Sequence, residues 1–445
     1  MLRAGAAALP DAPLIVDPDG SVSYRDLTAR SDALARGLAA RGIRRFACDV
    51  ADVRELVALL CGSSAVGSEA CVYPTGLDDA TISEYLSAFE QPVLVTDRVV
   101  SVGADVIPPG SLAIDGNPIE TRPESAPAMI LTTGTTGRPK GVRYDWGNLI
   151  AAIRHPDDTP GARWLLAYNL NQFAGMQVLL HVLASKATLV VPRSNQPRDA
   201  VAAMRKHGVT HVSATPTFWR FVTGLLDASS AAEIPLQQIT LGGEPSPGPL
   251  LAQLARMFPG ARVSHVYAGT EFGPVVSVRD GLPGLPVSVL DRGDDAAIQL
   301  KVVEGELMVR SRVGMRGYFG AEDVDEGWRP TGDLVEIRDG RILFVGRTSD
   351  VINVGGVKVH PLPVEEIVSA VDGVALVRAY GRPSPVTGEI VALDVVAGPG
   401  VDRPSLEQAI RAASEVLAPA ARPRRIRFVD DIDTRGHKIV RRPES

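Results

Sequence analysis

The eleven residues from Leu131 to Gly141, LTTGTTGRPKG, constrain this chain more than any other segment. Glycine lacks a Cβ atom, so Gly134 and Gly137 leave the backbone free to expose its amide groups in a tight turn. Four threonines add hydroxyl donors, and Lys140 adds a positive charge. The segment differs from the Walker pattern, because an Arg-Pro pair separates Gly137 from Lys140. A plain surface loop is the simpler interpretation, but the order of residues favours a loop that wraps an oligophosphate.

Length and charge limit what kind of protein this can be. A chain of 445 residues is too long for one ordinary core, so we expect two or three domains. Its formal net charge of −6 argues against a general binder of nucleic acid. Apolar runs are too short to cross a bilayer, and the start of the chain does not resemble a signal peptide. The three cysteines have no metal-ligand spacing, so we expect reduced thiols in a cytoplasmic protein.

Helical and strand-like patterns alternate through the first two thirds of the chain. Helical spacing of apolar residues is clear between Tyr24 and Gly42, and a second helix is predicted near Val53 to Ala65. Strand-like apolar runs lie at Gln91–Thr96, Ala187–Val191, Val209–Ala214, Gln238–Leu241 and Val263–Tyr267, with helical segments at Arg198–Lys206 and Leu250–Met257. This alternation predicts an α/β architecture with buried sheets.

The pattern changes after about residue 285. Leu334–Ile337 and Arg341–Val345 read as a hairpin, because Asp339 and Gly340 between them form a typical two-residue turn. Beyond it, helical, strand, strand and helical patterns follow at Pro363–Val371, Val374–Tyr380, Val391–Val396 and Arg403–Val416. These predict a small α+β module with a boundary near Thr348 to Ser349. The division into domains at 1–347 and 348–445 rests partly on the family resemblance given below.

Five ordered segments are candidates for chemistry. Each also has a simpler interpretation, since Asp, Glu, Gly and Thr are common in ordinary turns and a basic tail is often a solvated face. The first is the phosphate-loop candidate, and the others are Leu241–Pro245 (LGGEP), Tyr267–Gly273 (YAGTEFG), Thr331–Leu334 (TGDL) with Gly346–Lys358, and Asp433–Arg442. A strand precedes Tyr267, and ligands in open α/β sheets bind at such strand ends.

In this order the segments resemble the motifs of the adenylate-forming superfamily, the AMP-dependent synthetases and ligases. That superfamily includes acyl-CoA synthetases, carrier-protein adenylation domains and luciferases, and the resemblance runs from about Tyr24 to Arg442. It implies an α/β fold with a large N-terminal domain of stacked sheets and a small β-barrel-like subdomain. A small, mobile α+β C-terminal domain would carry the catalytic lysine.

The resemblance also implies roles for individual residues. Lys438 would be the catalytic lysine, Thr270 would contact the α-phosphate and Glu271 would hold Mg²⁺, while Ser349 would be the hinge between domains. The residues implied for ATP or AMP binding are Thr132, Thr133, Gly134, Thr135, Thr136, Gly137, Lys140, Gly242, Gly243, Glu244, Pro245, Tyr267, Ala268, Gly269, Asp333, Arg347 and Lys358. Those implied for the acid pocket are Gln172, Phe173, Gly175, Met176, Gly273 and Val275, and those for a CoA tunnel are Gly355 and Gly356.

The implied reaction is activation of a small carboxylic acid by ATP and Mg²⁺, followed by transfer of the acyl group to a thiol, for which CoA is the leading candidate. Three alternatives stay open: loading of an acyl carrier protein, transfer to an amine, and a regulatory nucleotide-binding module without turnover. We expect neither a nucleic acid nor a membrane as partner, and a homodimer stays open. The acid pocket, mostly apolar or small, suits an aromatic or medium aliphatic acid.

The sequence departs from the family pattern in several places. The chain is short before Leu131, so the N-terminal part must be trimmed. His437 precedes Lys438 where the family usually has glycine, and Ser349 stands where relatives carry Asp or Lys. Gln172 replaces a histidine that acyl-CoA synthetases often have. These positions bear on which substrate is used.

Overall fold

The computed structural model describes residues 1–119, 123–132, 139–153 and 159–432, and the backbone of 434–435 and 438–439. Its helices cover the sheets and separate them into layers. They are α1 (Leu2–Ala8), α2 (Tyr24–Ala40), α3 (Val53–Val66), α4 (Asp79–Ala88), α5 (Pro109–Leu112), α6 (Trp146–Ala151), α7 (Phe173–Ser185), α8 (Pro197–His207), α9 (Pro216–Leu225), α10 (Ala228–Ala232), α11 (Gly248–Met257), α12 (Pro361–Ser369) and α13 (Arg403–Ala413). Along these ranges, no helix combines the length and apolar character needed to cross a membrane.

Two large sheets occupy most of the chain before residue 280. Their strands are β1 (Pro13–Asp17), β2 (Gly20–Ser23), β3 (Arg45–Asp49), β4 (Glu69–Val72), β5 (Val93–Thr96), β6 (Asp105–Ile107), β7 (Pro127–Thr132), β8 (Lys140–Asp145), β9 (Arg163–Leu165), β10 (Thr188–Val190), β11 (His211–Ala214), β12 (Gln238–Gly242), β13 (Arg262–Gly269) and β14 (Gly273–Val278). The first sheet has eight strands in the order β14-β13-β12-β11-β9-β10-β1-β2. In that sheet β13 through β1 are parallel, and the two edge strands are antiparallel.

The later strands form smaller sheets. They are β15 (Leu285–Pro286), β16 (Ile298–Val303), β17 (Glu306–Ser311), β18 (Gly317–Tyr318), β19 (Arg329–Arg338), β20 (Arg341–Arg347), β21 (Ile352–Val354), β22 (Val357–Val359), β23 (Val374–Ser384), β24 (Gly388–Ala397), β25 (Arg425–Phe428), β26 (Thr434–Arg435) and β27 (Lys438–Ile439). β18 joins the second large sheet, whose order is β18-β8-β7-β4-β3-β5-β6. The order β15-β20-β19-β17-β16 forms an antiparallel five-stranded sheet.

The last sheet belongs to the C-terminal part of the chain. β22, β21, β24 and β23 lie side by side, and β25 adds to β24 in parallel. Helices α12 and α13 cover it, and their apolar residues share one core with the sheet, including Val364, Val368, Leu406 and Ile410. Short 3-10 turns at Val287–Asp291, Thr348–Asp350 and Ser414–Val416 complete the described elements.

The sequence predictions agree with this α/β architecture, and the differences lie at the ends of helices and strands. The last long helix was expected over Arg403–Val416, but it ends at Ala413 and a 3-10 turn follows. There the Ser414 hydroxyl donates to the Ile410 carbonyl at 2.7 Å and so satisfies a terminal acceptor. The predicted hairpin is confirmed, since Asp339 and Gly340 both have positive φ, 50° and 72°.

A group of stacked rings joins the eight-stranded sheet to α7. The Trp164 ring, in β9, stacks with the imidazole of His181, in α7, and with that of His211, in β11, at centroid distances of 5.6 and 4.8 Å. Burial lowers the pKa of His211 to about 4, and the nearby charge of Arg262 and the ring of His181 act in the same direction. Both rings are therefore neutral at pH 7.

We expect this stack to make the fold acid-sensitive. Because the folded state lowers the pKa of His211, the unfolded chain takes up a proton on this imidazole at a higher pH than the folded protein does. The stability that His211 contributes is therefore complete above its unfolded pKa of about 6.5 and is lost as pH falls towards 4. Thermal unfolding measured from pH 8 to pH 4 should show a declining midpoint, and His211→Phe should flatten that decline. An unchanged slope in the variant would contradict this account.

Candidate active site

Neighbouring parallel strands bring two sequence motifs to one edge of the eight-stranded sheet. Gly242 at the end of β12 pairs with Val266 of β13, so the segments that follow these strands emerge together. After β13 the chain turns through Thr270 and Glu271, and Gly273 opens β14 with a φ of 78°. Thr270 and Glu271 thus form a short turn, the T-E turn, between two paired strands.

A buried tyrosine connects this turn to the second large sheet. The hydroxyl of Tyr144, in β8, donates to the Thr270 carbonyl at 2.6 Å, and its ring stacks on Phe173 at 5.9 Å. Burial raises the pKa of Tyr144, and the charge of Glu271 adds to that rise, so the hydroxyl keeps its proton. The strand that follows the phosphate-loop candidate is therefore fixed against the T-E turn.

A second tyrosine links the lysine of the loop candidate to the glutamate. Thr132 and Lys140 face each other where β7 and β8 meet the loop, and the Lys140 ammonium lies 5.1 Å from the ring centroid of Tyr318. The Tyr318 hydroxyl donates to Glu271 Oε1 at 3.2 Å. Burial raises the pKa of Tyr318 to about 12, with Glu271 contributing to the rise. A cation and a carboxylate thus flank one ring.

Asp333 is the centre of a separate polar cluster. Its carboxylate accepts from the Tyr267 hydroxyl at 2.7 Å and from Arg347 Nε at 2.9 Å. Asp333 and Arg347 are direct cross-strand partners in the β19–β20 hairpin, and Tyr267 also packs on Phe344 at 5.0 Å. Burial raises the pKa of Tyr267, and the Asp333 carboxylate raises it further. This cluster can present a carboxylate oxygen to a sugar hydroxyl.

The Gly-Gly-Glu-Pro segment is held by its neighbours. The Gly242 carbonyl accepts from the buried Tyr168 hydroxyl at 3.0 Å, and Gly243 has a φ of 84°. The Glu244 carboxylate accepts from both the backbone amide and the hydroxyl of Thr217, at 3.0 and 2.7 Å. These contacts define the path of a loop that precedes Pro245 and lies beside the end of β13.

Residues predicted for an acid pocket lie around the start of α7. Gln172 precedes the helix, while Phe173 and Met176 are buried. A Cβ atom on Gly175 would lie 2.1 Å from the Asn169 carbonyl oxygen, so only glycine fits there. Across the T-E turn, Val275 is 2% exposed and packs in the core next to the five-stranded sheet.

Residues predicted for the hinge and the CoA tunnel lie beyond β20. Ser349 is in the 3-10 turn after β20, and its hydroxyl donates to Asp350 at 2.8 Å. Gly355 and Gly356 form the turn between β21 and β22 with φ of 59° and 87°, and Lys358 is exposed on β22. Among the described residues, no contact joins Lys358 to the Asp333 or Glu271 clusters.

Several predicted residues lie outside the described part of the chain. They are Thr133, Gly134, Thr135, Thr136 and Gly137 of the loop, and His437. Lys438 is described by its backbone, which pairs with Arg435 in a two-stranded ladder. Ala268 and Gly269 are the last two residues of β13. The roles of all the residues in this paragraph stay predictions.

Sequence patterns pointed to Tyr267 but did not reveal three further tyrosines of this site. Tyr144, Tyr168 and Tyr318 act on motif residues 126, 74 and 47 positions away along the chain, so only the tertiary fold brings them there. No group of three or more His, Cys, Asp or Glu side chains within the described ranges could hold a metal ion alone. One carboxylate, Glu271, fits Mg²⁺ that arrives with phosphates, since this ion commonly keeps one or two protein carboxylates.

Comparison with known proteins agrees with this geometry. A family model described as AMP-binding enzyme matches residues 2–319, and the model of the AMP-binding enzyme C-terminal domain matches residues 363–438. The chain belongs to the AMP-binding enzyme family. It is 27% identical to a 2-succinylbenzoate–CoA ligase of Bacillus cereus over 98% of this chain and 95% of that protein. The Bacillus subtilis ligase is 26% identical over 86% and 85%.

Solved structures of this family share the fold. The o-succinylbenzoate CoA synthetase of Bacillus subtilis, in complex with an acyl-adenylate intermediate, has a TM-score of 0.77 at 24% identity and covers 99% of this chain and 96% of its own. ATP-bound MatB from Rhodopseudomonas palustris has a TM-score of 0.81 at 22% identity, covering 99% and 97%. The predicted α/β fold with a C-terminal α+β part is thus confirmed.

Asp333→Asn should weaken AMP binding, because it removes the charge that pairs with Arg347 and accepts from Tyr267. A loss of about tenfold or more is expected for a charged hydrogen-bonding group. Asp339→Asn is the matched control, since Asp339 lies in the turn of the same hairpin. Calorimetric titration with AMP measures both, and equal affinity in the two variants would contradict the role of Asp333.

Proposed function

We propose that this protein is an AMP-forming acid–thiol ligase. A carboxylate oxygen attacks the α-phosphorus of ATP, the bond to pyrophosphate breaks, and an acyl-adenylate forms. The thiol of CoA then attacks the acyl carbon, so the thioester forms and AMP leaves. The family match supports this reaction, as do the ligase names of relatives that align over nearly the whole chain.

The observation that carries the proposal is the arrangement of charge around the T-E turn. The Lys140 ammonium lies over the ring of Tyr318, the Tyr318 hydroxyl donates to Glu271, and Tyr144 fixes the backbone of Thr270. Negative charge grows on phosphate oxygens during adenylation, so fixed donors and cations placed beforehand stabilise it. Glu271 would hold Mg²⁺, which supplies charge neutralisation when bound. A related o-succinylbenzoate synthetase has been solved with ATP and magnesium.

The remaining motif residues have separate tasks in this proposal. Asp333 binds the ribose hydroxyls, and Arg347 orients its carboxylate through the ion pair between them. The loop of residues 132–140 holds the pyrophosphate end, and the Gly242–Pro245 segment contacts the adenine. Lys438 assists the first step, and rotation about Ser349 brings Gly355 and Gly356 towards the adenylate for the second step. On this basis the chain has two functional domains, 1–347 and 348–445.

We further propose an aryl carboxylic acid as the substrate class. Phe173 and Met176 are apolar and buried, and Phe173 stacks on Tyr144, whose hydroxyl binds the T-E turn, so an apolar group would find apolar neighbours there. The relatives' names refer to a benzoate derivative, which supports the same class. Gln172 offers an amide at the start of α7, where it can bind a polar substituent.

A panel of acids tests this function. Benzoate, 2-succinylbenzoate, a medium-chain fatty acid and an α-amino acid should each be offered with ATP, Mg²⁺ and CoA, and AMP release measured. We expect the highest kcat/KM for an aryl acid. If turnover requires an acyl carrier protein or an amine, that group and not CoA is the acceptor. Nucleotide binding without turnover of any acid would contradict the assignment as a ligase.

Lys438→Ala should abolish acid-dependent exchange of pyrophosphate into ATP, because the charge beside the reacting carboxylate is lost. Transfer from a supplied acyl-adenylate to CoA should be preserved. Lys206→Ala, an exposed lysine in the last turn of α8, is the control and should leave both steps unchanged. Equal loss of both half-reactions in Lys438→Ala would refute its assignment to the first step.

A further inference from the structure

A half-buried arginine next to the T-E turn, Arg329, has no hydrogen-bond partner among the described residues. Arg329 begins β19 and pairs with Val309 in the five-stranded sheet. Its three guanidinium nitrogens are closed to solvent and have no hydrogen-bond partner among the described residues. Arginine keeps its charge at any physiological pH and carries five N–H donors, so such burial without acceptors is unfavourable.

The neighbours of this guanidinium are the residues of the proposed phosphate site. Its carbon lies 5.5 Å from the ring centroid of Phe272, which directly follows Glu271. Arg329 Nη2 would lie 3.4 Å from a Cβ atom on Gly314, and the Glu271 carbonyl oxygen would lie 2.7 Å from the same position. Because Gly314 has no Cβ atom, both the Arg329 guanidinium and the Glu271 carbonyl can lie close to it.

The surrounding side chains form no described hydrogen bond or ion pair with the cation. The hydroxyls of Tyr144 and Tyr318 donate to the Thr270 carbonyl and to Glu271. Glu271 and Asp325 are the carboxylates whose charges act on Arg329, and neither forms a described ion pair with it. Burial lowers the pKa of the guanidinium, whereas these groups oppose that change.

A buried guanidinium elsewhere in the chain is paired with a carboxylate. Arg378, in β23, donates to the Asp394 carboxylate, which is 1% exposed. Asp394 also accepts from Arg427 at 2.7 Å. Asp394 thus pairs with two arginines in the C-terminal sheet, while Arg329 forms no described ion pair with a carboxylate beside the site where an anion is expected.

We propose that Arg329 is a further positioning residue of the polyphosphate site, a fixed cation behind Glu271 that offsets the charge of the β- and γ-phosphates of ATP and of released pyrophosphate. This inference rests on the proposed function, since it takes Glu271 to face the phosphates. In a low-dielectric surrounding, a fixed charge acts on a ligand without direct contact. AMP lacks the two outer phosphates and so gains little from it.

The test compares ligands that differ in phosphate number. Calorimetric titrations of the full chain with ATP, pyrophosphate and AMP, each with and without Mg²⁺, are made for the wild type, Arg329→Met and Arg329→Lys. Arg329→Met should weaken metal-free ATP and pyrophosphate about tenfold or more, and AMP by less than about twofold. Arg329→Lys should restore most of the lost affinity, and Mg²⁺ should narrow the difference in affinity between the wild type and Arg329→Met.

Two control variants distinguish the loss of the Arg329 charge from a disturbance of the folded structure. Arg338→Met removes an exposed arginine at the other end of the same strand and should leave all affinities unchanged. Arg329→Gln serves as a second neutral variant where the methionine variant does not fold. Equal weakening of ATP and AMP in Arg329→Met, or no change in either, would overturn the inference alone. A wild type that binds no nucleotide would overturn the proposed function, and this inference with it.

Discussion

The hydrogen bond from the Tyr144 hydroxyl to the Thr270 carbonyl fixes the geometry on which the site depends. It joins a strand of the seven-stranded sheet to the turn that ends β13 in the eight-stranded sheet, over 2.6 Å. Each sheet supplies only part of the proposed chemistry. The lysine of the loop comes from one sheet and the T-E pair from the other, so a phosphate chain can be held only where they meet.

Charge is distributed unevenly around this junction. Lys140, Tyr318 and Glu271 form one group, and Arg329 lies over the neighbouring Phe272 with no hydrogen-bond partner among the described residues. Asp333 and Arg347 form a second, neutral pair on the hairpin that leads towards the C-terminal sheet. One group suits a polyanion and the other a sugar, and ATP contains both.

Much of the fold was predictable from the sequence. The alternation of helical and strand patterns gave the α/β class, and Asp339-Gly340 located a hairpin turn, because these signals are local. Helix ends were less predictable, as at Ser414, where a side-chain hydrogen bond closes the helix early. The motif order also predicted which loops carry function, and that remains a prediction. Tyr144, Tyr168, Tyr318 and Arg329 could not be found, because their contacts join distant segments.

The central claim is that a carboxylate oxygen attacks the α-phosphorus of ATP. The most direct measurement uses an aryl acid labelled with ¹⁸O in its carboxylate, together with ATP, Mg²⁺ and CoA, followed by mass spectrometry of the products. Adenylation followed by thiol attack leaves one carboxylate oxygen on the phosphate of AMP, so the account predicts AMP with a single ¹⁸O atom. Unlabelled AMP, or label in inorganic phosphate or pyrophosphate, would contradict it.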